Sequence, residues 1–149
     1  MDDWDGGQIK IMLEWISFEK EYEGFPLLLR RPKNLEIGSL IKSLPQLAVV
    51  THKFTKRRPD GLPDPDYNES LFEMDIEIRR AFDVSQMGAA VLVETFGGKR
   101  HYYFYVTTKT DVSTIISDIA RHYPTEQLSW TVRPDPEWGF LERYGKDFF

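Results

Sequence analysis

The chain has 149 residues, a net charge of −5 and no cysteine. This length is typical of one domain, and the lack of cysteine excludes disulfides, thiol catalysis and cysteine metal sites. The negative charge disfavours a nucleic-acid binder, and no apolar run approaches the roughly 20 residues that span a bilayer. We therefore expect a single soluble domain over residues 1–149, in a reducing cytoplasm and without a membrane.

The first part of the chain predicts a leader followed by a β-hairpin. Residues 1–9 carry acids and glycines without periodicity, and we expect a mobile leader there. Residues 12–32 alternate between apolar and polar side chains around a turn at Glu23-Gly24-Phe25. Because Pro26 cannot donate a backbone hydrogen bond, it should lie at a strand start or on an edge. The hairpin should extend the main sheet or cover its second face.

A short helix and a strand are predicted after the hairpin. The loosely helical spacing of apolar residues over Asn34–Leu44, ended by Pro45, predicts the helix. Leu47–Lys56, with two valines at its centre, predicts the strand. The loop that follows is rich in proline and contains a glycine, so it should be stiff and non-helical.

The strongest helical pattern begins at Pro65 or Asp66. Apolar residues recur there every three or four positions, at Tyr67, Leu71, Met74, Ile78 and Phe82. A second face of the same helix is acidic and carries Glu69, Glu73 and Glu77. Acids near the start and arginines near the end agree with the helix dipole. We therefore expect an amphipathic helix with one buried stripe and one acidic face.

The stretch Gly88–Val106 is the most apolar part of the chain and predicts the central hairpin of a sheet. Two runs rich in branched and aromatic residues flank Gly97-Gly98. A tight turn with positive φ favours glycine at such positions. Branched and aromatic side chains suit a pleated and mostly buried surface. We expect this hairpin to lie at the centre of the sheet.

The last third of the chain predicts a second helix, a strand and a packed tail. Thr110 or Asp111 can cap the helix, and Pro124 ends it. Its buried side is predicted to hold Val112, Ile115, Ile116, Ile119 and Tyr123. Gln127–Arg133 alternates as a strand, with Leu128, Trp130 and Val132 on one face. The tail, residues 134–149, is aromatic and fits one or two helical turns against the body.

The order of these elements predicts the fold class. Over residues 47–133 it is strand, helix, strand, strand, helix, strand, which is the order of a ferredoxin-like α+β fold. Such a fold has a four-stranded antiparallel sheet with both helices on one face, and we expect the other face to be open. The N-terminal hairpin and the C-terminal tail are additions to this core.

Catalytic and metal-binding motifs are missing from the sequence. His52, His101 and His122 are not three or four residues apart, so they form no zinc-type pair. Gly97-Gly98-Lys99 lacks the upstream glycine and the following serine or threonine of a phosphate-binding loop. We therefore expect no cofactor, no metal and no catalytic residue. The alternative is an enzyme that uses Glu94 and a histidine on the open sheet face.

Binding of single-stranded RNA is a second alternative. RNA-recognition motifs share this element order and stack bases on exposed aromatics of the third strand. Arg100–Val106 has this aromatic character, and strand alternation places His101, Tyr103 and Tyr105 on one face. The Arg57-Arg58 loop would add basic charge. The first core strand lacks the matching aromatic, however, and the acidic net charge also disfavours this hypothesis.

Several short segments, taken in order, resemble a known bacterial family. They are Gly61-Leu62-Pro63 before an acidic helix, Gly97-Gly98 and an arginine after a valine-rich strand, Phe104-Tyr105, and Asp135-Pro136-Glu137-Trp138 after the last strand. Together they resemble the family called domain of unknown function 695, over Leu47 to Tyr144. This family is similar in organisation to a regulator of ribonuclease E activity. The resemblance implies a ferredoxin-like fold, a bacterial cytoplasmic setting and action by binding a protein, and it implies no catalytic residues.

The charge is unevenly distributed, because residues 30–58 are mainly basic and residues 60–83 are mainly acidic. This distribution and the missing catalytic motifs favour a protein that binds another protein. Two contact surfaces are predicted: the open sheet face, with Glu94, His101, Tyr103 and Tyr105, and the acidic helix, with Glu69, Glu73 and Glu77. A regulator, inhibitor or immunity-type protein that neutralises a basic partner fits the acidic helix. The edges of the sheet are compatible with a homodimer as well as with a monomer.

Overall fold

The computed structural model describes residues 14–83 and 87–148, and these contain six strands and five helices. The strands are β1 (Trp15–Tyr22), β2 (Phe25–Pro32), β3 (Gln46–Lys53), β4 (Gly88–Phe96), β5 (Lys99–Val106) and β6 (Gln127–Pro134). The helices are α1 (Ile37–Leu40), α2 (Pro65–Ser70), α3 (Phe72–Arg79), α4 (Val112–His122) and α5 (Gly139–Phe148). The predicted leader over residues 1–9 and the first two residues of the predicted hairpin lie outside the described residues.

The six strands form one antiparallel sheet in the order β1-β2-β4-β5-β3-β6. The prediction of a central hairpin is confirmed, because β4 and β5 are the two middle strands. Gly97 and Gly98 connect them with φ of 62° and 84°, as a tight turn of this kind requires. The N-terminal hairpin turns at Glu23 and Gly24 and pairs β2 with β4. It therefore extends the sheet.

A first apolar core, the helix-side core, lies between the sheet and helices α2, α3 and α4. The predicted stripe is buried in it: Tyr67, Leu71, Met74, Ile78 and Phe82. The continuous helix predicted over this stripe is wrong, because the helical backbone is interrupted at Leu71 and forms α2 and α3. Asp64 caps α2 by accepting a hydrogen bond from the Asp66 N–H. Asp111 caps α4 through the Thr114 N–H, as one of the two predicted caps.

A second apolar core, the opposite core, lies on the other face of the sheet. It contains buried residues of β2, β3, β4 and β5, together with Leu44, Trp138 and Tyr144. Partly buried residues of α1 and α5 pack against it. The two cores share one sheet, so every central strand contributes side chains to both.

The C-terminal segment covers the sheet face that was predicted to be open, and that expectation is wrong. The aromatic tail forms α5, which is ten residues long. Asp135 positions the start of this helix, since its carboxylate accepts hydrogen bonds from the Gly139 and Phe140 N–H groups, both at 3.0 Å. Trp138 is buried, with 2% of its surface exposed. Burial of apolar and aromatic area accounts for the docking of the tail.

The fold is therefore mixed α+β, with α2, α3 and α4 on one face of a six-stranded antiparallel sheet and α5 on the other. Among the described residues, no helix is both long and apolar enough to cross a membrane.

Candidate functional site

A wide groove lies between the N-terminal hairpin and helices α2 and α3. Its volume is about 870 Å³. The floor is built from strand residues, chiefly Ser17, Glu19, Leu28, Arg30, Thr95 and Arg100. The wall is built from helix residues, namely Asn68, Glu69, Leu71, Phe72 and Asp75. The groove thus combines a polar floor with a wall that is part apolar and part acidic.

The groove exists because the sheet is wider than the helix layer. The helices pack over β3, β4 and β5, whereas β1 and β2 extend beyond β4 at one edge. Residues that face one another across the strands form the row Glu19, Leu28, Thr95, Arg100 and His52. Opposed residues lie on the same face of an antiparallel sheet. One row of side chains therefore runs from the groove into the helix-side core.

Asp75 on α3 is the centre of a charged cluster at the inner end of the groove. Arg30 donates two hydrogen bonds to its carboxylate, at 2.9 and 2.7 Å, and Arg79 donates a third at 3.0 Å. The Tyr102 hydroxyl donates a fourth, at 2.7 Å. Burial alone would raise the pKa of Asp75. The bonds from Arg30 and Tyr102 outweigh burial, so the pKa lies well below its usual range.

This cluster is suited to a structural role and not to proton transfer. A carboxyl group with so low a pKa stays ionised near neutral pH and is a poor general base. Arg100 is also engaged, because it donates to Thr95 Oγ1 at 2.9 Å and to Asn68 Oδ1 at 3.1 Å. The two arginines of the floor are therefore held in place by Asp75, Thr95 and Asn68, and this part of the floor is preformed.

A second polar cluster lies deeper, where the same row reaches β3. His52 is fully buried, and its Nε2 lies 2.9 Å from Glu126 Oε1. The Tyr67 hydroxyl donates to the same carboxylate oxygen. Burial lowers the pKa of His52, although Glu126 opposes this shift. Within the described residues His52 Nδ1 has no hydrogen-bond partner, but its burial keeps it away from any substrate in the groove.

The outer rim of the groove is acidic and carries one exposed aromatic ring. Phe72 is 66% exposed, which is the largest value among the exposed large hydrophobic residues of the described chain. Glu69, Glu73 and Glu19 are exposed near it, and none of them forms an ion pair with another described residue. Glu77 is different, because it accepts a hydrogen bond from the Tyr123 hydroxyl and thereby raises the pKa of Tyr123 to about 12.

The other predicted surface lies beneath α5. Tyr105 is fully buried, and Tyr103 stacks on Phe140 with ring centroids 4.5 Å apart. Glu94 accepts a hydrogen bond from the Tyr144 hydroxyl at 2.5 Å. The sheet does bring Glu94, His101 and Tyr103 onto one face, as predicted.

His101 in this cluster is held by the sheet and by burial. Its Nδ1 lies 2.9 Å from Thr51 Oγ1, and its Nε2 lies 3.9 Å from Glu94 Oε1. Burial lowers its pKa, against the effect of the Glu94 charge. The cluster faces the underside of α5 and does not line the groove.

Arg30, Phe72 and Asp75 are among the groove residues that the sequence interpretation missed. The helical pattern contains an indication of two of these residues, Asp75 and Phe72. Asp75 follows Leu71 by four residues and precedes Ile78 by three, so an acid lies beside the buried stripe. Phe72 is an apolar residue outside that stripe. Arg30 gave no such signal, because nothing local identifies a partner 45 residues away.

A metal centre has no support in the described part of the chain, where no group of three His, Cys, Asp or Glu side chains could hold an ion. The arginines of the groove floor bond to Asp75, Thr95 and Asn68.

Fold and groove together define a mixed α+β protein with a preformed groove at one end of its sheet. A family model described as "Family of unknown function (DUF695)" matches residues 14–144. The chain therefore belongs to this family, and the match includes the N-terminal hairpin as well as the segment from Leu47 to Tyr144. A search of curated proteins gave no significant match.

The segments that carried the family resemblance have structural roles. The Gly98 N–H donates to the Gly61 carbonyl at 2.8 Å, which docks the Gly61-Leu62-Pro63 loop on the turn of the central hairpin. Arg100 holds Thr95 and Asn68 together at the groove. Asp135 and Trp138 fix the start of α5. These residues therefore shape the sheet and the groove.

Proposed function

We propose that this protein is a non-enzymatic module that binds another protein through the groove beside the N-terminal hairpin. The observation that carries this proposal is Phe72, two-thirds exposed on the groove wall between Glu69 and Glu73. Aromatic residues, phenylalanine included, are enriched at protein interfaces. The rigid floor beneath it reduces the entropic cost of binding.

The charge of the rim defines the chemistry of the partner. Glu19 and Glu69 line the groove together with Phe72 and Leu28, and Glu73 is exposed next to Phe72 in the sequence. A segment with basic residues beside an apolar side chain is complementary to this surface. Regulators, inhibitors and immunity-type proteins act in this way when their target is basic. The contact should weaken as the ionic strength rises, because the rim charges are exposed.

Two observations favour binding over the other functions. Asp75 is the groove carboxylate with the most contacts. Its pKa is well below the usual range, which makes it a poor general base. The aromatic sheet face lies beneath α5, which disfavours both base stacking on Tyr103 and an enzyme built on Glu94.

A capture experiment with matched variants tests the proposal. Tagged wild-type protein, Phe72→Ala and Glu69→Lys/Glu73→Lys are incubated at low salt with lysate of the native cells, and bound proteins are identified by mass spectrometry. Glu36→Lys is the control, because Glu36 is exposed beside α1 on the opposite side of the sheet.

We expect one protein to be recovered by the wild type and by the control and to be lost with both groove variants. Equal recovery by all four proteins would contradict the proposal. Recovery of RNA in place of a protein would also contradict the proposal. Thermal unfolding of each variant shows whether it is folded before binding is compared.

The proposal also includes a ferredoxin-like topology and a cellular location. The strand order β4-β5-β3-β6, with α2, α3 and α4 on one face, supports a ferredoxin-like unit within the larger sheet. Such a unit agrees with an organisation like that of the ribonuclease E regulator. The lack of cysteine supports a reducing, cytoplasmic setting, and the family resemblance is the support for a bacterial one. Cell fractionation with an antibody to the native protein tests the location.

A further inference from the structure

Strand β1 is one edge of the sheet. Half of its backbone N–H and C=O groups face β2, and the other half face away from the sheet. The Lys33 N–H donates to the Glu14 carbonyl at 2.7 Å, so Glu14 and Lys33 form a hydrogen-bonded pair. Such pairs alternate along an antiparallel ladder. The even-numbered residues of β1 therefore bond to β2, and the odd-numbered residues direct their N–H and C=O groups away from the sheet.

The prolines of β2 agree with this assignment. Pro32 and Pro26 face Trp15 and Glu21, which are odd-numbered residues of β1. A proline has no N–H to donate and fits only a position whose N–H is not needed between these two strands. Ser17 and Glu19 are likewise odd-numbered, so their backbone groups point outward. No described strand pairs with this edge.

The side chains of the same residues line the groove. Ser17 and Glu19 are exposed and belong to the groove floor. The outward backbone groups and the groove are therefore adjacent parts of one surface. A strand added beside β1 would direct every second side chain towards Phe72 and Glu69.

We propose that the partner binds by strand addition: an extended segment of another protein, with alternating basic and apolar residues, pairs with the outer edge of β1. This inference rests on the proposed function and specifies its mode. Main-chain hydrogen bonds to Ser17 and Glu19 hold the segment, and its alternate side chains enter the groove. Its basic residues face Glu19 and Glu21.

Charge favours such a segment over a second copy of this chain. The groove side of β1 carries Trp15, Ser17, Glu19 and Glu21, and none of these is basic. In antiparallel self-pairing this set would face itself, so the second copy would bring acids and no cation to Glu19 and Glu21. A partner with lysine or arginine at alternate positions supplies the missing charge.

The test uses random peptides of the length of β1, 8 residues, displayed on phage and selected on the wild-type protein. One enriched peptide is synthesised, and its affinity is measured for wild type, Ser17→Ala, Ser17→Pro and Phe72→Ala. Proline at position 17 removes an outward N–H and leaves the ladder to β2 intact. Glu19→Pro replaces it if Ser17→Pro does not fold, as judged by thermal unfolding.

We expect enriched peptides to alternate lysine or arginine with apolar residues. Ser17→Pro should weaken binding about tenfold or more, because a main-chain hydrogen bond is lost and the edge is blocked. Ser17→Ala keeps the outward N–H and loses only a side-chain hydroxyl, so it should weaken binding less than Ser17→Pro. Hydrogen exchange at the Ser17 and Glu19 amides should slow when the peptide is bound.

Three results would overturn the inference. If Phe72→Ala weakens binding but Ser17→Pro does not, strand addition fails while the proposed function stands. If no peptide is enriched, or the enriched peptides lack basic residues, the charge argument fails as well. If the wild type is a dimer by light scattering and Ser17→Pro is a monomer, the edge is occupied by a second copy.

Discussion

The indole of Trp138 stacks on the ring of Tyr105, with ring centroids 4.1 Å apart and planes 5° from parallel. Trp138 Nε1 donates to the Leu44 carbonyl at 2.9 Å, and the Tyr105 hydroxyl donates to Asp135 at 2.6 Å. The pair joins the C-terminal segment to β5 and to the chain that precedes β3. It is therefore the anchor that holds α5 over the sheet.

Replacing this anchor should strongly destabilise the protein. Trp138→Ala removes a buried aromatic side chain and a hydrogen bond, and we expect the free energy of unfolding to fall by about 3–5 kcal/mol. Tyr105→Phe keeps the stack and loses only the bond to Asp135, so it should cost about 1 kcal/mol. Urea unfolding followed by circular dichroism measures both. A similar loss for the two variants would contradict this account of the anchor.

Asp75 should be far more important for stability than its neighbours on the same helix. Asp75→Ala leaves Arg30 and Tyr102 without their buried partner, and loss of one member of such a pair costs about 3–5 kcal/mol. Glu73→Ala removes an exposed acid and should change stability by less than about 0.5 kcal/mol. The comparison uses urea unfolding at neutral pH. Equal effects of the two substitutions would show that the Asp75 cluster is not a structural centre.

The low pKa of Asp75 also predicts how its contribution depends on pH. The ionised carboxylate stabilises the fold above the unfolded-state pKa of about 3.9, and this stabilisation is lost as the pH falls towards the lower folded-state pKa. The difference in unfolding free energy between wild type and Asp75→Asn should therefore be constant near neutral pH. It should shrink below about pH 4. A difference that stays constant in acid would contradict the ion-pair account.

His52 should make the protein less stable in mildly acidic solution. Burial lowers its pKa below the unfolded value of about 6.5, so the unfolded state binds more protons as the pH falls through that value. The free energy of unfolding is therefore highest above this pH and decreases as the pH falls below it. His52→Gln should lose less stability than the wild type between about pH 7.5 and 5.5, and His101 accounts for part of the remaining loss. Identical pH slopes in urea unfolding would exclude this role of His52.

Two glycines with similar backbone angles should differ in how well they tolerate alanine. Gly24 has φ of 82° and open space around an added Cβ, so Gly24→Ala should cost about 1–2 kcal/mol through the backbone alone. Gly61 has φ of 90°, and its Cβ would lie 2.9 Å from the Gly97 nitrogen. Gly61→Ala should therefore cost about 1–3 kcal/mol more. Equal shifts in melting temperature would show that the loop adapts without strain.

Sequence pattern alone predicted the local elements of this protein. The pair Gly97-Gly98 identified the central turn, because few residues other than glycine adopt the required φ. The spacing from Tyr67 to Phe82 identified a buried helical side, and Asp111 identified a helix start. Each of these features depends on neighbours within a few residues, and periodicity records that information directly.

The tertiary structure decided everything that depends on distant partners. The apolar spacing from Tyr67 to Phe82 did not reveal that the helix is interrupted at Leu71. It also did not reveal that Asp75 pairs with Arg30, which is 45 residues away. Alternation placed Tyr103 on one face of the sheet, but only the docked α5 shows that this face is covered. The groove has the same origin, since it arises where β1 and β2 extend the sheet beyond its helices. The local sequence pattern predicts which side chains share one face of a helix or strand. The packing of elements distant in sequence decides which of these faces remains exposed.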